Sequence, residues 1–185
     1  SLELTYEELA NIYSKLGDYN KSLEMNLECL KIREKLLGKE HLDYARSLTD
    51  LAECYYYLGV YSKSLDLNQK SMNIIESLTG KNNAEYVRCL NNMANIYIYL
   101  KDYEKGLSCH KECLDIRKKL YGEKHRFYIL SLSNLATTYI WTGNYDKALT
   151  LNAECVKLIE KNIGVDNEYY ARGLHNIAYI HSLSG

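Results

Sequence analysis

Four positions, separated by four, three and four residues, recur along the chain with side chains suited to holding a polypeptide. The sets are Arg46, Asp50, Glu53 and Tyr57; Arg88, Asn92, Asn95 and Tyr99; Leu130, Asn134, Thr137 and Trp141; and Arg172, Asn176, Tyr179 and Leu183. On an α-helix this spacing brings the members of each set to one face. A carboxamide both donates and accepts, so a ladder of Asn92, Asn134 and Asn176 can read backbone N–H and C=O groups whatever side chains accompany them. Arg46, Arg88 and Arg172 can grip carboxylates through paired N–H donors. Tyr57, Tyr99 and Trp141, backed by Tyr56, Ile98 and Ile140, form an aromatic shelf, and aromatics beside arginine are frequent interface hot spots. The ligand so predicted is an extended protein or peptide segment with acidic and apolar residues.

A structural reading of the same residues stands beside this one. Recurring asparagines can bond neighbouring helices, as buried amides usually do. The three arginines can pair with acids on the next repeat, the default for single charged surface residues. Trp141 lies off the packing stripe set by Ala136 and Tyr139. Most of the 19 tyrosines, among them Tyr13, Tyr55, Tyr97, Tyr139, Tyr19, Tyr61, Tyr103 and Tyr145, fall at equivalent packing positions and are read as core.

Other chemistry is sparse. Cys109 and Cys113 share a helical face, but His110 between them points about 100° away, and no second pair stands at zinc spacing. Cys113 also takes the small slot filled elsewhere by Cys29, Ser71 and Cys155. No glycine-rich phosphate loop, nucleophile elbow or HExxH motif appears. The expectation is no enzyme, no cofactor and no metal.

The elements that must position the stripe come from a repeat of fixed length. Tyr86, Leu90, Asn92, Ala94, Tyr97, Tyr103, Lys105, Leu107 and Gly122 have counterparts one repeat earlier, from Tyr44 to Gly80, and one repeat later, from Tyr128 to Gly164. Each repeat reads as two amphipathic helices. In the second, the first helix spans 43–58, with Leu48, Leu51, Ala52 and Tyr55 on one face; a turn at Gly59, Val60 and Tyr61 follows. The second helix spans 62–79, with an inward stripe of Leu65, Asn68, Met72, Ile75 and Leu78. Gly38, Gly80, Gly122 and Gly164 close the second helices in a left-handed conformation, and His41, Asn83, His125 and Asn167 cap the next first helices. Proline is absent where about nine would be average, which suits long helices. The predicted repeats are 1–42, 43–84, 85–126 and 127–167 as helix pairs, with 168–185 an unpaired first helix of an array cut from a longer chain.

A net charge of −1, with the basic residues dispersed, leaves no footprint for a phosphate backbone, so nucleic acid is not expected. No long apolar run or leader pattern points to a membrane or to secretion. Of the six cysteines, three occupy equivalent points on different repeats, roughly 8 to 10 Å apart on stacked helices and beyond disulfide reach. Reduced thiols and a cytoplasmic location follow.

The turns LGDY at 16–19 and TGNY at 142–145, with Ala10, Ala52, Ala94, Ala136 and Ala178 in the small slot of each first helix, resemble the tetratricopeptide repeat. The length of the period, from Tyr44 to Tyr86 to Tyr128, with ARGLHNIA at 171–178 and CLKIREKLLG at 29–38, is similar to that of its kinesin light chain type. The resemblance implies an all-α, right-handed superhelical solenoid of antiparallel helix pairs, with first helices lining a concave groove and a scaffold function. Two departures stand out. His-Pro before the first helix is missing, and Lys101 replaces the turn glycine of Gly17, Gly59 and Gly143, which costs stability only if that position needs positive φ. The first repeat carries Glu7, Glu8, Asn11 and Lys15 on the comparable face, so the binding centre is placed on the second to fifth repeats. Two other readings are a docking or sensor arm of a larger effector (protease, ATPase or signalling protein), with an intramolecular partner domain, and end-to-end self-association.

Overall fold

Helix start and stop signals in this chain act where the local chemistry puts them. The computed structural model describes residues 2–184; Ser1 and Gly185, the outer limits of the predicted first and last repeats, lie outside the described residues. Among the described residues the regular elements are α1 (Leu2–Lys15), α2 (Tyr19–Leu37), α3 (Leu42–Tyr57), α4 (Tyr61–Thr79), α5 (Ala84–Tyr99), α6 (Tyr103–Tyr121), α7 (Arg126–Trp141), α8 (Tyr145–Asn162) and α9 (Glu168–Ser184). Tyr61, expected in a turn, is the first residue of α4.

The chain divides within α5 into two compact units, one up to Ile96 and one from Tyr97 onward. In the first, α1 packs on α2, α2 on α3 and α3 on α4; Leu48, Leu51 and Ala52 of α3 are buried, as are Met72 and Ile75 of α4 and Val87, Leu90 and Met93 of α5. In the second, α6 packs on α7, α7 on α8 and α8 on α9. One core cluster there joins Tyr128, Ile129 and Leu132 to Cys155 and Ile159. Another joins Leu135 and Tyr139 to Ala148 and Ile180. Small residues let the helices of a pair approach closely: Ala52 and Ala136 are fully buried. Ser22 Oγ donates to the carbonyl of Ala10 at 2.9 Å, and Ser64 Oγ to that of Ala52 at 2.6 Å.

Leu78, read as the end of an inward stripe, is instead 46% exposed. The α4 helix has 19 residues against 16 in α3, so its last turn overhangs the helix it packs on. The glycines that end the second helices also differ from expectation. Gly38 has φ 78° and ψ 177°, and Gly80 and Gly122 lie close by, so the backbone is extended at positive φ and not left-handed helical. That region is essentially restricted to glycine. Where a side chain can reach back, the next helix starts: His41 and His125 accept from the N–H of Asp43 and Phe127, and Asn83 and Asn167 from those of Glu85 and Tyr169.

The tight turns inside each pair share one hydrogen-bond pattern. Gly17 N–H donates to Ser14 O and Asp18 N–H to Tyr13 O, and the pattern recurs at Gly59, Lys101 and Gly143. This is the Schellman arrangement, whose penultimate residue must have positive φ. Lys101 adopts φ 63°, the one non-glycine residue to do so among the described residues. The condition for a cost is therefore met, and Lys101→Gly is expected to stabilise the chain by about 1 kcal/mol in urea unfolding. An unchanged midpoint would show that the lysine stem recovers the strain elsewhere.

The residue after this turn doubles as the next N-cap. Asp18, Asp102 and Asn144 accept from the N–H of Lys21, Lys105 and Lys147, whereas Val60 makes no side-chain cap. Val60 has φ −92° and ψ 65°, close to the −85° and 73° of Asp18. Val60→Asp needs no backbone change and is expected to add about 1 kcal/mol, read as a higher unfolding midpoint at constant m-value.

Candidate partner-binding face on the first helices

In the first unit the candidate stripe is built from α3 and α5. Arg88 donates from Nη2 to Asp50 Oδ1 at 2.8 Å and to the carbonyl of Arg46 at 3.3 Å. Its other nitrogens lie 3.7 Å from Glu53 and 3.4 Å from Glu85. Arg46 in turn reaches Asp43 at 2.9 Å and Glu85 at 3.3 Å. Both arginines are thus held by carboxylates of their own and the neighbouring first helix. Burial pushes the Asp50 carboxyl upward, and Arg88 pulls against that shift.

Asn92 donates to Glu53 Oε1 at 3.2 Å and to Asn68 Oδ1 at 3.4 Å. Asn68 is fully buried on α4 and donates back to Ser64 O. The second unit repeats this geometry: Asn176 on α9 donates to Asn152 Oδ1 at 3.2 Å and to Thr137 Oγ1 at 3.5 Å, while buried Asn152 donates to Ala148 O. Asn92 and Asn176 therefore bond neighbouring helices. Asn134 is half-buried, and its carbonyl accepts from Thr138.

The partners of that ladder, on the second helices, were legible only as a recurrence: Asn26, Asn68, His110 and Asn152 hold the same place in successive repeats. An alternation on the second helices was not legible as such in the sequence. Arg33 donates to Ser47 Oγ at 2.8 Å and Asp43 O at 3.3 Å, and Arg117 to Ser131 Oγ at 2.9 Å and Phe127 O at 3.2 Å. The equivalent positions in the intervening repeats hold buried Ile75 and Ile159. The signal that could have found it was a charged residue replacing an apolar one in alternate repeats.

Much of what the stripe leaves in solvent is aromatic. Tyr57 is 55% exposed, Tyr99 and Trp141 each 62%, and Tyr179 is exposed as well. The Tyr57 ring stacks on Tyr19 at 4.4 Å and 7°, and Tyr56 meets it edge-on at 5.2 Å. Asn95 is exposed and makes no hydrogen bond among the described residues. Arg172 sits over the Tyr169 ring at 5.3 Å. Of the tyrosines read as core, Tyr139 is buried; Tyr13, Tyr55 and Tyr97 are half-buried and covered by Lys21, Lys63 and Lys105, whose ammonium groups stand 5.3, 4.3 and 5.3 Å from the ring centres.

The cysteine and histidine run has a packing role. His110 is buried and bonds Thr138 Oγ1 at 2.8 Å through Nδ1; burial, with Arg117 nearby, lowers its pKa to about 4. Burial raises the Cys109 thiol to about 11, so it stays protonated at neutral pH. Among the described residues, no group of three or more His, Cys, Asp or Glu could hold a metal ion. No described helix is long and apolar enough to cross a membrane.

Paired helices recurring at a fixed period, with small residues at each crossing, define an all-α helical repeat protein of the solenoid class. The tetratricopeptide repeat profile matches residues 1–77, 85–140 and 128–185, and the chain belongs to that family. Its fold is that of the kinesin light chain type. The TPR-like repeats of a Podosopora anserina chain described as putative kinesin light chain share 19% identity over 98% of this chain and 85% of that one, with a TM-score of 0.83. BtubC (BKLC) from P. vanneervenii shares 20% over 97% and 72%, with a TM-score of 0.85. A Rap protein complexed with competence and sporulation factor shares 14% over 97% and 48%, with a TM-score of 0.78. No curated protein sequence matches the chain.

Proposed function

We infer that this chain is a protein–protein interaction scaffold whose first helices hold an extended segment of a partner. The observation that carries the reading is the division of labour along the stripe. Arg46, Arg88, Asn92 and Asn176 are engaged inside the array, whereas Asn95, Tyr57, Tyr99 and Trp141 at other stripe positions stay in solvent. Exposed aromatics on a fixed backbone supply contact area at little entropic cost. The Rap protein of similar fold carries a bound factor, which supports the reading of an array as a holder of partners. The engaged residues act as struts that orient the exposed ones.

Selection of displayed peptides on the wild-type chain tests this. Asn95→Ala/Trp141→Ser removes two exposed side chains that bond nothing in the array, so the fold is retained and circular dichroism should match. Selected peptides are expected to bind the variant at least about tenfold more weakly, a difference of about 1.4 kcal/mol. Equal binding to both proteins would move the site off the first helices.

A further inference from the structure

A cavity of about 230 Å³ opens in the first unit between α3 and α5, lined by Glu53, Tyr56, Tyr57, Asn91, Asn92 and Asn95. Its aromatic wall is preformed. Tyr57 is fixed flat against Tyr19, and Tyr56 stands edge-on to both Tyr57 and Tyr61. Its polar wall keeps acceptors open: Glu53 receives one bond from Asn92 on Oε1 and only a long 3.7 Å approach from Arg88, and the Asn95 carboxamide, donor and acceptor both, is unengaged. The surrounding charge has a definite sign. Glu53 supplies the one formal charge in the lining, and behind it the carboxyl groups of Asp50 and Glu53 face the single guanidinium of Arg88, so negative charge is in excess at the cavity.

A carboxylate, amide oxygens and a fixed aromatic ring converge on one ligand chemistry. A guanidinium presents five N–H donors in a plane, stacks on aromatic faces and is more weakly hydrated than an ammonium. We propose that this cavity receives an arginine side chain of the partner segment, so that the part of the segment lying on the first unit is basic. The inference rests on the proposed function for its biological setting, while the cavity chemistry is testable alone. The charge at this cavity is the reverse of what the arginines at 46 and 88 suggested, because Arg46 and Arg88 already have carboxylate partners.

The probe is N-acetyl-arginine amide, titrated into the full chain while the side-chain amide signals of Asn91, Asn92 and Asn95 are followed by NMR. A ligand of this size is expected to saturate with a Kd on the order of 1 mM. N-acetyl-lysine amide should bind several-fold more weakly, and the N-acetyl-glutamate analogue should not shift these signals. Glu53→Gln keeps the acceptor for Asn92 but removes the charge, and should weaken arginine binding about tenfold. Asn95→Ala, at an exposed and unbonded site, should weaken it about threefold in a chain whose fold does not depend on that side chain. Absence of saturable shifts, or equal binding of arginine and lysine analogues that Glu53→Gln leaves unchanged, overturns the assignment. Failure of the peptide selection with intact arginine binding would count against the scaffold reading and leave the cavity assignment standing.

Discussion

Replacing His110 by asparagine is expected to abolish a loss of stability of about 3 kcal/mol that the wild-type chain suffers on acidification from pH 6.5 to pH 4. Thr138 Oγ1 donates to the carbonyl of Asn134 at 2.9 Å, which leaves it to accept from His110 Nδ1–H at 2.8 Å. Nε2 is buried with no hydrogen-bond partner. A second proton there would find no acceptor, and it would face the guanidinium of Arg117 on the same helix. The folded pKa falls to about 4 from the ordinary 6.5. The unfolded chain therefore binds a proton below about pH 6.5 that the folded chain refuses until about pH 4. Stability is complete above that window and drains away as pH falls through it. Asparagine is the residue at the equivalent positions Asn26, Asn68 and Asn152, and it has no charge to gain. Urea unfolding of both chains across this range reads the difference directly, because all other titrating groups are common to the two. Parallel stability curves would show that the ring is reached by water.

Arg88→Glu is expected to destabilise the chain by about 2 to 3 kcal/mol at neutral pH. The substitution removes the partner of Asp50, whose carboxyl burial already pushes upward, and sets a new carboxylate among Asp50, Glu53 and Glu85. The effect sits below the range for fully buried pairs because the Arg88 side chain keeps 36% of its surface in solvent. Asp50→Asn places at this position the amide found at Asn92, Asn134 and Asn176. In the Arg88→Glu background it should restore about half of the loss. A change below about 0.5 kcal/mol for Arg88→Glu would mean that the network contributes no more than ordinary surface charges.

The Arg88 and Asn92 contacts show where a sequence stops informing. Helix pairs, caps and the small-residue slots are local or strictly periodic, so Gly59, Asn83 and Ala136 announce them without coordinates. The face occupied by Arg88 was equally legible, since steps of three and four settle it. The occupant of its guanidinium was not, because Asp50 lies 38 residues away and only packing brings the two within 2.8 Å. The same holds for Asn92 and Asn176, whose amide partners Asn68 and Asn152 are each 24 residues earlier on a different helix. Periodicity identifies equivalent positions but not which helix each faces. Trp141, by contrast, was placed off the packing stripe by spacing alone, and it is exposed.

The most direct test of the account is site-specific photo-crosslinking in lysate. A benzophenone side chain is placed at position 95 or 141 on the first helices, and in parallel at position 108 or 153, exposed sites on the second helices. Partner binding on the first helices predicts one set of adducts from positions 95 and 141, competed by the peptides selected on the wild-type chain, and none of these adducts from 108 and 153. Adducts of equal yield from the second-helix positions, or competition confined to them, would contradict the assignment of partner binding to the first helices.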